Sequence, residues 1–174
     1  MNPALHHSGR RPRRDRLCLG AAAALLLLAA GCNTRRADAG HRAGVQLVDA
    51  PAGPADAVVR GALTYARRDG RRLLVYVSAG WCKPCERFQE AVRSGALDGA
   101  FPDLRLLKFD QDRDVERLAA AGYDGQYIPR FVLPSADGRG TAQRTEGVAS
   151  AEEGVLHSIQ PRLQQMLAST GAGR

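Results

Sequence analysis

Leu73-Leu74-Val75-Tyr76-Val77-Ser78-Ala79-Gly80-Trp81-Cys82-Lys83-Pro84-Cys85 is the stretch whose reading decides the fold. Its first five residues are a continuous apolar run, as a central strand buried on both faces requires. Small residues then break the run, and Cys82 to about Ser94 reads as a helix burying Phe88, Ala91 and Val92. A cysteine at that junction faces unpaired backbone N–H groups and the positive end of the helix dipole, which favour thiolate over thiol. The thiolate is the attacking species in disulfide exchange. Two intervening residues let Cys85 close a small ring with Cys82 and so resolve a mixed disulfide. Pro84 fixes the backbone and removes a donor that a first helical turn leaves unpaired anyway. Lys83 adds positive charge, expected to stabilise the Cys82 thiolate further.

Outward from this stretch the pattern alternates. Upstream, Val45–Val48 reads as a short strand, and Pro51 and Pro54 punctuate. Pro54 suits the first turn of a helix running to about Arg68, with Val58, Val59, Ala62, Leu63 and Ala66 on one apolar face. Asp69-Gly70 ends it. Downstream, Leu104–Phe109 reads as a strand, Asp110–Ala121 as a helix and Arg130–Leu133 as a strand. Asp137-Gly138-Arg139-Gly140 turns a hairpin into Thr141–Glu146. Ser150 and Glu153 form a capping box opening the last helix, which Pro161 is expected to kink or split. The order β-α-β-α-β-α-β-β-α predicts an α/β domain with a mixed central sheet and helices on both faces.

Trp81-Cys82-Lys83-Pro84-Cys85 resembles the Trp-Cys-x-Pro-Cys motif of the thioredoxin-like superfamily. Tyr127-Ile128-Pro129-Arg130-Phe131 resembles, in type and spacing, the segment carrying that family's cis proline. Asp110-Gln111-Asp112 and Gly147 also resemble the family pattern, and the likeness covers about residues 45–168. The resemblance implies a thioredoxin fold in which Cys82 and Cys85 are catalytic and Trp81, Lys83 and Pro84 support them. It further implies that Ile128 and Pro129 line the groove for protein disulfide substrates. Two positions depart from the pattern. Tyr76 stands where thioredoxins bury an aspartate beneath the second cysteine, and Leu106 stands where the partnering lysine falls. Tyr76 reads as a core residue, so deprotonation of Cys85 falls to water or to another group, such as Glu86. The helix from Glu86 is similar to secreted thioredoxin-like domains, including the terminal domain of membrane thiol:disulfide interchange proteins.

The N-terminal segment reads as an address. Five arginines precede residues 17–30, an apolar run near h-region length and short of a spanning helix. Leu28-Ala29-Ala30-Gly31-Cys32 resembles the lipobox of bacterial lipoproteins, departing from it at Ala29. Residues 1–31 are thus expected to be a signal peptide, Cys32 a lipidation site and 32–44 a flexible tether to a domain over 45–174. An ordinary signal leaving Cys32 as a free thiol, or an uncleaved anchor, is the alternative. Each buried acyl methylene contributes ~0.8 kcal/mol, so several chains hold a protein on a membrane. The expected location is the periplasmic side of a bacterial cell envelope.

The formal charge of +7 shrinks to about +3 without residues 1–31, and no basic stretch is interleaved with aromatics. Nucleic-acid binding is therefore not expected. Zinc wants four ligands, and no second Cys or His pair accompanies Cys82 and Cys85. Neither a metal nor another cofactor is expected. The expected activity is thiol–disulfide exchange, run towards reduction and fed by a membrane electron donor. The alternatives are a disulfide-donating oxidase and a thioredoxin-fold binding module whose disulfide is structural.

Overall fold

The computed structural model describes residues 43–147 and 154–171. The expected signal, Cys32, most of the expected tether and the Ser150–Glu153 box lie outside the described residues. The elements are β1 (Gln46–Asp49), α1 (Ala55–Arg68), β2 (Arg72–Ser78), α2 (Lys83–Arg93), β3 (Leu104–Asp110), α3 (Val115–Ala120), β4 (Arg130–Pro134), β5 (Gly140–Glu146) and α4 (Val155–Gly171). The strands form one sheet in the order β1-β3-β2-β4-β5. β1 and β2 run parallel to β3, β4 runs antiparallel to β2, and β5 antiparallel to β4. This is the mixed α/β sheet of a thioredoxin fold.

Strand alternation divides the interior into two cores. Leu74 and Tyr76 of β2, Leu104 and Leu106 of β3 and Phe131 of β4 point to one face. There they meet Phe88 and Val92 of α2 and Ile159, Leu163 and Leu167 of α4. Leu73, Val75 and Val77, with Leu107, Phe109 and Val132, point to the other face and meet Val59 and Ala66 of α1 and Leu118 of α3. β2 is buried from Leu73 to Ser78, because helices cover both its faces and strands flank both its edges. Tyr76, Phe88 and Phe131 pack with ring centroids 4.9–5.3 Å apart. Such aromatic pairs add ~0.5–1.5 kcal/mol beyond their buried area.

Three elements differ from the sequence expectation. α3 is only six residues long. Before it, the Asp110 carboxylate accepts the N–H groups of Asp112 and Arg113, and Asp114 accepts that of Asp110. Asp110 thus caps a turn of its own, closed by the Asp114 N–H on the Asp110 carbonyl at 2.9 Å, and regular helix begins only at Val115. α4 runs through Pro161 as one element rather than splitting. Gly44, expected at the end of the tether, is bonded into the domain. Its N–H donates to the Pro102 carbonyl at 2.8 Å, and its own carbonyl accepts from Arg71 at 2.6 Å.

Candidate active site

The end of β2 and the start of α2 set the two cysteines. Ala79 to Cys82 turn the chain, with the Cys82 N–H donating to the Ala79 carbonyl at 3.1 Å. Cys82 is the N-cap of α2, in an extended conformation, and Pro84 lies in the first turn. The Cys85 N–H donates to Cys82 Sγ at 3.2 Å. Cys82 and Cys85 form a disulfide, with Cα atoms 5.2 Å apart. Cys82 retains 4% exposure and Cys85 none, so an incoming sulfur meets Cys82 first. The helix N-terminus directs backbone N–H dipoles at the sulfur that must carry negative charge after reduction.

The segment expected to face the cysteines does so. The Ile128–Pro129 peptide is cis, and Ile128 packs on the cluster of Ala79, Cys82 and Cys85. Among the described residues, neither the N–H nor the carbonyl of Ile128 has a hydrogen-bond partner. Pro129 is held from behind: its carbonyl accepts the Gly147 N–H at 2.6 Å. A Cβ on residue 147 would lie 2.8 Å from Pro129 Cγ, so this close approach requires glycine. Trp81 is 66% exposed, and its indole N–H donates to Asp112 at 2.8 Å. Asp112 belongs to the loop after β3, which the Gln111 N–H ties to the Ser78 carbonyl at 2.7 Å. Trp81, next to Cys82 in the chain, is thereby tied to the loop after β3.

Lys83 does not act as an isolated charge. Its ammonium lies 2.9 Å from Glu86, and both side chains are exposed. The Lys83 hydrogen bond holds the Glu86 carboxyl below its ordinary range. A carboxylate so paired and depressed is a poor acceptor for the Cys85 proton. Beneath Cys85, the fully buried Tyr76 hydroxyl donates to the Cys85 carbonyl at 3.4 Å and accepts from Gln89 at 3.4 Å. Burial pushes the Tyr76 phenol up to about 12, so it stays protonated at neutral pH. Leu106 is a core residue of the same face. Among the described residues, Tyr76 occupies the place beneath Cys85 and no carboxylate does.

The sequence alone assigns no individual role to four residues near this site, Gln89, Gln111, Arg130 and Glu146, although Gln111 and Arg130 fall in the segments that resemble the family pattern. Arg130 is the largest fully buried side chain and pairs with Glu146 at 3.1 Å. A charge opening an otherwise apolar strand was the available signal, but its partner depends on the β4–β5 register, which sets Arg130 opposite Glu146.

No protein-family model and no curated protein matches the chain. Among solved structures it is similar to a disulphide isomerase from Xylella fastidiosa Temecula1, at 23% identity and TM-score 0.46 over 68% of this chain and 92% of that one. It is also similar to a mutant thioredoxin from Halobacterium salinarum NRC-1, at 21% identity and TM-score 0.45 over 75% and 93%. A poplar thioredoxin h is similar at 19% identity and TM-score 0.44 over 75% and 99%. The strand order, the cysteine pair at the start of α2 and the cis Ile128–Pro129 bond, with Ile128 packed beside the cysteines, give this chain the thioredoxin fold with a Cys-x-x-Cys disulfide.

Proposed function

We propose that the chain is a thiol–disulfide oxidoreductase that reduces protein disulfides through Cys82 and Cys85. One observation carries the reading: Cys82 Sγ caps α2 and accepts the Cys85 N–H, beside a cis-proline loop whose Ile128 backbone has no partner among the described residues. In the reduced protein the Cys82 thiolate attacks one sulfur of a substrate disulfide. A Cys82–substrate disulfide forms and the other substrate sulfur leaves as a thiolate that takes up a proton. Cys85 then loses its proton, to water in the absence of a buried carboxylate, and attacks Cys82 Sγ. The second substrate thiolate departs, and Cys82–Cys85 is left oxidised. Two electrons pass to the substrate, and each departing thiolate takes its proton from water.

Turnover requires an external dithiol donor to reopen the disulfide. If Cys32 is lipidated, the domain works at the periplasmic face of an envelope membrane, and a membrane electron donor supplies those electrons. Ile128 before the cis proline and Pro84 within the motif resemble reductive thioredoxins, which supports reduction as the net direction.

The test is a Cys85→Ser chain in envelope extracts. With no resolving thiol, the Cys82 mixed disulfide is expected to persist and to be recovered as covalent adducts that dithiothreitol releases. Cys82→Ser is expected to give none. Absence of adducts with Cys85→Ser would sink the exchange mechanism and leave a structural disulfide.

A further inference from the structure

Arg130 follows the cis proline directly and is buried inside the fold. Its Nε donates to Glu146 Oε1 at 3.1 Å, and its Nη1 donates to the Tyr123 carbonyl at 2.9 Å and to Gln111 Oε1 at 3.3 Å. The other Glu146 oxygen accepts the Tyr127 N–H at 2.9 Å. One ion pair therefore grips the loop before Pro129 at two backbone points, Tyr123 and Tyr127. Through Gln111 it also reaches the loop whose next residue, Asp112, holds Trp81. Gly125 packs against the pair so closely that a methyl there would collide with Glu146 Oε1 and Arg130 Nε. With the Tyr127 N–H committed to Glu146, the adjoining Ile128 backbone, beside the cysteines, has no partner among the described residues.

We propose that Glu146 and Arg130 are positioning residues for protein substrates. Their ion pair fixes the Tyr127–Pro129 loop so that the Ile128 backbone is open to pair with an extended, disulfide-bearing polypeptide. This rests on the oxidoreductase reading above and adds to it the residues that hold the substrate-facing loop. Backbone pairing with an added strand gives affinity without demanding a particular side chain. A small disulfide has no such backbone and takes no benefit from the loop.

The test compares the full chain with Glu146→Gln and Gly125→Ala, each on insulin and on bis(2-hydroxyethyl) disulfide. Arg130 and Tyr127 bond different Glu146 oxygens, so Glu146→Gln in the same pose sets an NH2 donor against one of the two N–H groups. Gly125→Ala disturbs the same pair without removing a charge. Both variants are expected to raise KM for insulin about tenfold, as loss of one charge-assisted hydrogen bond implies. The small-disulfide rate and the reduction potential are expected to stay at wild-type values. Equal losses on both disulfides, an unchanged KM for insulin in folded variants, or loss of the folded state in both variants would each overturn the positioning role. A wild-type chain inert towards both disulfides would remove the oxidoreductase reading and this proposal with it.

Discussion

Beneath Cys85 the chain buries a phenol in place of a carboxylic acid. The substitution fits its surroundings, since Tyr76 stacks on Phe131 and tilts against Phe88, where an ionised carboxylate would stand without a cation. Tyr76→Phe keeps the packing and removes the hydroxyl bonds to Cys85 and Gln89. It is expected to destabilise the protein by about 1 kcal/mol at neutral pH, as one lost buried hydrogen bond does. The pH dependence has a definite sign. Burial raises the folded-state phenol from 10.0 to about 12, so the unfolded chain releases its proton first. Stability from this group is complete below pH 10 and is lost as pH rises towards 12, by ~2–3 kcal/mol. Tyr76→Phe lacks that loss. Urea unfolding at pH 7 to 11.5 is expected to show the wild-type advantage shrinking above pH 10 and then reversing. A constant gap would contradict the role of burial.

The elements converge on one end of the sheet. β2 delivers Cys82 to the start of α2, the β3–α3 loop delivers Asp112 to Trp81, and β4 begins at the cis proline. Gly147, just beyond β5, closes the back of that proline, and its substitution has a direct consequence. Gly147→Ala places a methyl 2.8 Å from Pro129 Cγ and 3.3 Å from Ile159 Cδ1, and the proline ring has little freedom to yield. The expected cost is about 1–3 kcal/mol of stability, as overpacking of a filled site produces. Turnover of insulin is expected to fall more than turnover of a small disulfide. Equal turnover of insulin by wild type and variant would contradict the tight seating of Pro129.

Legibility differed among these elements for physical reasons. β2 and α2 are plain in the sequence because an unbroken apolar run meets a Cys-Lys-Pro-Cys helix start. The cis proline is legible only through the resemblance of Tyr127–Phe131 to a known pattern. α3 is overestimated because Asp110–Asp114 forms a side-chain-capped turn ahead of the helix, which composition does not separate from the helix that follows. The Arg130–Glu146 pair is invisible without the β4–β5 register, since the two residues are 16 apart in sequence.

At the scale of the whole molecule, two buried cores flank the sheet, and the described residues place their one disulfide at the end of β2. The lipoprotein reading of the N-terminus adds a place to work, and it carries its own expectation. Cys32→Ser is expected to shift the protein from the detergent phase to the aqueous phase of a Triton X-114 partition, with thiol exchange by the domain unaltered. Detergent partition independent of Cys32 would contradict lipid anchoring there.

The central claim is that Cys82 and Cys85 form a reversible dithiol rather than a staple. A redox titration of the purified protein against dithiol buffers tests it most directly, read by the fluorescence of Trp81, the only tryptophan in the chain. The account predicts a two-electron transition near ~−270 mV, the range of thioredoxin. A transition near ~−120 mV would contradict net reduction and mark a disulfide donor. A disulfide that stays closed to well below ~−300 mV would contradict the claim itself, since structural disulfides resist reduction in that range.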